Sequence, residues 1–149
     1  MSVISSNDPY DLERFIGVQA RWIDLACKEL REGRKQSHWM WFIFPQLKGL
    51  GHSAMANLYG ISSQREAEAY LEHPILGMRL RQCTSLVIQV DGKSVEQIFD
   101  DPDDMKFHSS MTLFASVDQQ SDLFKNALKK YFVGKPDQKT LERLGLSHL

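Results

Sequence analysis

Between residues 10 and 32, Leu12, Phe15, Ile16, Trp22, Ile23, Ala26 and Leu30 recur at three- and four-residue steps, with Gln19 completing the stripe. That spacing lines one side of a helix with apolar side chains, so the rest of the chain must supply a surface to cover them. Asp8 and Pro9 read as a cap and a first-turn proline. Gly33 is a natural stop, and Arg31, Arg34 and Lys35 lie where the negative end of the helix dipole favours cations. Gly17 marks a place for the helix to kink or split.

Similar patterns recur downstream. Ser63-Gln64-Arg65-Glu66 reads as a capping box, in which serine and glutamate satisfy each other's backbone donors. The helix it opens carries Ala67, Tyr70 and Leu71 and breaks at Pro74. A second helix then carries Ile75, Met78, Leu80, Leu86 and Val87 and ends at Asp91-Gly92. Ser94-Val95-Glu96-Gln97 repeats the capping signature, and the acidic run from Asp100 to Asp104 follows as a turn. Residues 105–115 have helical apolar spacing, although Ser, Thr and Phe are mediocre helix formers. Residues 121–132 carry a stripe of Leu123, Phe124, Ala127, Leu128 and Tyr131, stopped by Gly134 and Pro136. A last turn or two falls at 140–144.

Residues 86–90 are β-friendly, but no alternating partner follows across a tight turn. The expectation is an all-α, compact single-domain bundle of about six to eight helices over residues 10–145, with 1–9 disordered or extended and 146–149 frayed.

The balance of 18 Lys and Arg against 19 Asp and Glu leaves no broad positive field for nucleic acid. Arg31, Arg34, Lys35 and Lys48 are the local basic patch, and nucleic acid is the weakest partner class. The two cysteines, Cys27 and Cys83, form no C-x-x-C pair, which fits a reducing cytosol. The N-terminus has no signal-peptide pattern. The longest apolar run, 39–44, falls far short of the ~20 residues needed to span a bilayer. A cytoplasmic protein without membrane segments is expected.

That run, in "HWMWFIFPQ" at residues 38–46, is apolar all round, so helical and strand periods cannot be separated within it. Trp39 and Trp41 share a face only in an extended backbone. Its aromatic side chains read mainly as core. Its ends are polar, with His38 before it and Gln46 after Pro45. Lys48, Gly49, Gly51, His52 and Ser53 then form a loop whose glycines let backbone amides approach a ligand.

At these residues the chain resembles domain of unknown function family 1810. The resemblance is carried by "EGRKQSHWMWFIFPQLKGLGHS", "YGISSQREAEAYLEHPILGMRLRQC", "DDMKFHSSMTLFA" and "YFVGKPDQKTLERL", and runs over residues 12–144. It implies a compact, mainly helical, single-domain protein and no particular mechanism. Some members bear the automatic label calpastatin. That inhibitory activity belongs to long disordered repeats, which a globular composition does not match.

Residues 51–55 lack the final glycine and preceding strand of a nucleophile elbow, and residues 48–53 lack the spacing and ending of a Walker loop. The five histidines show no paired metal-ligand spacing, so no metal is assigned. Asp103 and Asp104 suit the positive end of a helix, Lys106 can pair with an aspartate there, and Ser109 and Ser110 follow about one turn later.

The functional reading is a pocket beside the aromatic block for a small anionic or nucleotide-like metabolite. His38 and Lys106 would supply charge or proton transfer. Trp39, Trp41, Gln46, Lys48, Gly49, Gly51, Ser53 and Ser109 would wall and orient the ligand. Neither a cofactor nor a bond to be broken is specified by the sequence. The alternative is a protein-interaction module using exposed aromatics as an anchor.

Overall fold

In a computed structural model the described residues are 7–149, and the apolar stripe that opens the chain lies on α1 (Glu13–Arg31). Phe15, Gln19, Ala26, Cys27, Glu29 and Leu30 are its buried side chains. The helix runs unbroken through Gly17, which is exposed and crowded by nothing, so its flexibility is not used. Of the expected N-terminal stretch 1–9, residues 1–6 lie outside the described residues. The helix starts later than expected, with Leu12 at its N-cap, so Pro9 lies outside it; the Asp8 carboxylate still accepts the backbone N–H groups of Leu12 and Glu13 at 2.7 and 3.1 Å.

Eight further helices follow among the described residues: α2 (Met40–Ile43), α3 (Ala54–Tyr59), α4 (Gln64–Glu72), α5 (Leu76–Ile88), α6 (Val95–Phe99), α7 (Asp103–Ala115), α8 (Leu123–Phe132) and α9 (Gln138–Leu144). The fold is all-α. The short α2 and α3 are additions to the helices marked by sequence periodicity. The capping signatures differ in outcome. Ser94 and Gln97 form the reciprocal box at α6. Ser63 caps Glu66 N–H at α4, but the Glu66 carboxylate turns instead to Ser62 and to Arg14, the latter at 2.7 Å.

α5 packs against α1, α4 and α8, while α7 packs against α4, α6, α8 and α9. α7 is buried along most of its length, including Phe107 and residues 109–115. Two of its hydroxyls find oxygens nearby, Thr112 Oγ1–H donating to His108 O at 2.9 Å and Ser109 Oγ lying 3.2 Å from Met105 O, whereas Ser110 Oγ is buried without a partner.

The segment that was ambiguous as sequence becomes the one-turn α2, and this puts Trp39 and Trp41 in different environments. Trp39 is fully buried and Trp41 half-buried. Phe44 meets Phe99 and Phe107 edge-on with centroids 5.9 and 5.1 Å away, and Phe42 meets Tyr59 at 5.4 Å. Gln19 secures the turn from α1, donating to Phe42 O at 2.7 Å and to Tyr70 Oη at 2.8 Å.

Beyond Pro45 the chain is clamped by an isolated parallel bridge between Leu47 and Ile61. Ile61 N–H donates to Gln46 O at 2.9 Å, and Lys48 N–H to Ile61 O at 2.8 Å. Gly60 makes this approach feasible, since a Cβ there would sit 2.8 Å from Lys48 Cα. Residues 46–61, including α3, are thereby held as one closed loop against α2.

Candidate functional site

The closed loop and α2 meet α7 at a small cleft. Met40, Trp41 and Phe44 come from the aromatic segment, Gln46 from its end, Tyr59 from α3 and Lys106 from α7. Lys106 Nζ lies 3.6 Å from Asp103 Oδ1 and 5.0 Å from the Trp41 ring centroid, so an ammonium is held between a carboxylate and an aromatic face. Asp103 also binds Lys35 Nζ at 2.8 Å, and Lys35 lies over the Trp39 ring at 5.1 Å.

The Trp41 indole Nε1–H is buried and has no hydrogen-bond partner. An indole nitrogen can only donate, and leaving a buried donor unpaired costs about 1–3 kcal/mol. Thr84, Asp104 and Ser110 each bury an unpaired oxygen, but Trp41 is the residue of this set that lines the cleft. Gln46 brings an amide to the same wall. Its Nε2 lies close to Gly51, where a Cβ would come within 3.2 Å of it. The cleft has about 10 Å³ of room for the centre of a water-sized molecule, which is space for about one water.

The structure therefore brings together Trp41, Gln46 and Lys106, with Gly51 packed behind Gln46. The other residues singled out from the sequence sit elsewhere or have structural contacts. His38 is exposed and does not line the cleft. Trp39 is core, its Nε1–H donating to Glu29 Oε1 at 2.9 Å. Lys48 borders a separate shallow groove with Tyr10 and Arg14. Gly49 adopts φ +99° and lies under the Arg143 guanidinium, which a Cβ would approach to 2.2 Å. Ser53 caps α3 by accepting Ala56 N–H at 3.1 Å. Ser109 Oγ–H donates to Asp137 Oδ2 at 3.0 Å, tying α7 to the cap of α9.

Glu29 is the principal buried charge not singled out beforehand. Burial opposes its ionisation, but hydrogen bonds outweigh that penalty and hold its carboxyl below the ordinary range. They come from the Ser37 hydroxyl, the backbone N–H groups of Gln36 and Ser37, and the Trp39 indole. Its sequence signal is its place three residues after Ala26 on the buried stripe, where a charge requires partners. Tyr59 was also missed, because it is half a loop away from the aromatic block in sequence.

A larger open groove, about 480 Å³, lies between α4, α5 and residues 117–120. Two of its charges pair: Arg81 lies 3.6 Å from Asp118, which also accepts from Gln120 N–H and Ser121 Oγ–H at 3.0 and 2.7 Å. The small cleft differs in that one of its lining residues, Trp41, carries a buried donor without a partner. Among the described residues no group of three or more His, Cys, Asp or Glu side chains is placed to hold a metal, and no helix is long and apolar enough to cross a membrane.

Fold and cleft define a small all-α protein whose aromatic segment is mostly core and partly the wall of a mainly apolar recess edged by Gln46 and Lys106. The chain belongs to the family described as protein of unknown function DUF1810, whose model matches residues 9–144. It is similar to the crystal structure of the conserved hypothetical protein Rv1873 from Mycobacterium tuberculosis. The two are 52% identical with a TM-score of 0.91, over 94% of this chain and 100% of that one. No curated protein matches the chain.

Proposed function

We propose that the chain binds a small anionic or nucleotide-like metabolite in the cytoplasm, with the ligand's acidic group entering the cleft beside α2. The observation that carries this reading is that Trp41, whose buried Nε1–H has no partner, lines the same cleft as Lys106 and Gln46. A carboxylate or phosphate oxygen would accept from all three, and its charge would be balanced by Lys106. The space of about one water limits the inner group to a single acidic oxygen. The rest of a larger ligand would lie outside, over Gln46 and the Gly49-to-Ser53 turn. The cytoplasmic assignment rests on the two cysteines, both free thiols.

Binding is the better-supported half of the reading. A proton-transfer role for His38 would require it to move to the cleft, since catalysis needs hydrogen-bond reach of about 3 Å. The second reading, docking of a protein partner on exposed aromatics, lacks its anchor, since Trp39 is fully buried and Trp41 half-buried; the exposed apolar side chain next to Lys106 on α7 is Met105, at 60%.

A thermal-shift series with inorganic phosphate, acetate, ATP, NAD and ADP-ribose tests the proposal. Selective binding to the native state raises Tm with ligand concentration, by about 2.7 kcal/mol of stability at a hundredfold excess over Kd. At least one of these anions is expected to stabilise the protein, and the effect should vanish in Lys106→Met while that variant stays folded. No shift across the series, or an equal shift in Lys106→Met, would overturn it.

A further inference from the structure

Arg143 lies exposed in the last turn of α9, and its guanidinium forms no ion pair or hydrogen bond among the described residues. It is nevertheless held in place. Thr140 and Leu141 are buried on α9, and the Asp137 carboxylate that caps this helix also accepts from Ser109 on α7 at 3.0 Å. The guanidinium rests on Gly49, where a Cβ would lie 2.2 Å from Nη2 and 2.5 Å from Cζ. With φ +99°, that position suits glycine on two counts, the backbone angle and the close approach.

The turn beneath Arg143 leads straight to the cleft beside α2. Gly51 packs against the Gln46 amide, whose Nε2 would be 3.2 Å from a Cβ there. Because two residues of chain span at most about 7 Å, Arg143 Nη2 stands within roughly 16 Å of Gln46 Nε2. The backbone N–H groups of Gly49, Gly51 and His52 bond to no other group among the described residues. Two cations thus bracket the segment from Gln46 to Gly51, Lys106 on α7 at the cleft and Arg143 on α9 over the turn.

We propose that Arg143 is the outer anion-binding residue of this cleft, so that its ligand carries two acidic groups on one molecule, as a nucleoside diphosphate or bisphosphate does. The inference rests on the anion reading of the cleft. Since the space beside Trp41 holds about one water, any second acidic group has to lie outside it. There the guanidinium presents a planar fork of donors that matches two oxygens of a phosphoryl group. The unbonded amides of the turn add further donors. A ligand with a single acidic group would engage Lys106 and leave Arg143 idle.

The test compares inorganic phosphate, ADP and adenosine 3′,5′-bisphosphate on the full-length protein in about 0.15 M salt, which screens distant charge. Calorimetry gives Kd, and the Trp41 indole N–H signal reports whether the inner cleft is filled. At least one nucleotide is expected to bind about tenfold or more tightly than phosphate, with Arg143→Gln removing that gain and Arg143→Glu weakening the nucleotide further. Phosphate in the inner cleft should keep its affinity within about twofold in Arg143→Gln, and Tm should be unchanged at this exposed position. Nucleotides bound no more tightly than phosphate, a gain that survives Arg143→Gln, or a loss of phosphate as large as that of the nucleotide would each overturn the outer subsite. A Trp41 signal unmoved by any of the three would overturn the inner site, and this proposal with it.

Discussion

Glu29→Ala is expected to destabilise the protein by about 3–4 kcal/mol, a fall in Tm of roughly 10 °C for a chain of this size. The carboxylate is 5% exposed and accepts the Gln36 and Ser37 N–H groups, the Ser37 hydroxyl and the Trp39 indole within 3.0 Å. Alanine leaves these donors facing a void, so the cost exceeds that of a single lost bond. The effect depends on pH in a defined direction. Because the folded carboxyl is held below its ordinary range, the stabilisation is present in full above the unfolded pKa and is lost as pH falls through the folded one. Denaturant titrations from neutral pH into the acid range should show wild type losing stability below about pH 4.5. Glu29→Gln, which cannot ionise, should lose that part of the slope. An unchanged acid limb in Glu29→Gln would remove Glu29 from the account of acid stability.

Gly77→Ala is expected to cost about 2–3 kcal/mol, although alanine is ordinarily the better helix former. A Cβ at Gly77 would lie 2.1 Å from Leu71 O, a backbone atom fixed by the α4–α5 corner. The corner opens only if the two helices separate. Gly17→Ala is the matched control: it is helical and exposed with nothing within 4 Å. It should raise stability by about 0.5–1 kcal/mol. Chemical unfolding of both variants checks the pair, and equal effects would show that propensity, not the corner, governs both positions.

The helices with one wet face were legible in the sequence because a stripe and a cap leave a repeating signal. α1, α5 and α8 are of this kind, their apolar positions recurring every three or four residues. α2 was not legible, since residues apolar on every side carry no period. α7 was only partly so, because it is buried nearly all round, Ser and Thr positions included. At the cleft, the proximity of Trp41 and Gln46 followed from their places on one short segment. The approach of Lys106 depends on how α7 packs, which local spacing does not encode. Ser53 and Ser109 looked available for a ligand because a sequence does not reveal that a hydroxyl is already used, by the cap of α3 or by Asp137. Glu66 illustrates the same limit: its capping partner was visible, but its stronger tie to Arg14 on another helix was not.

The measurement that tests the central claim most directly is the indole N–H resonance of Trp41 in an amide–indole correlation spectrum, followed as inorganic phosphate and then ATP are added. The three tryptophans give separate signals, and Trp41→Phe assigns the relevant one. Trp39 serves as an internal reference, because its N–H already donates to Glu29 at 2.9 Å. The account predicts a saturable downfield shift of Trp41 alone, as an unpaired donor gains an anionic acceptor, and no such shift in Lys106→Met. A Trp41 signal that stays still through both titrations, or one that moves equally without Lys106, would contradict it.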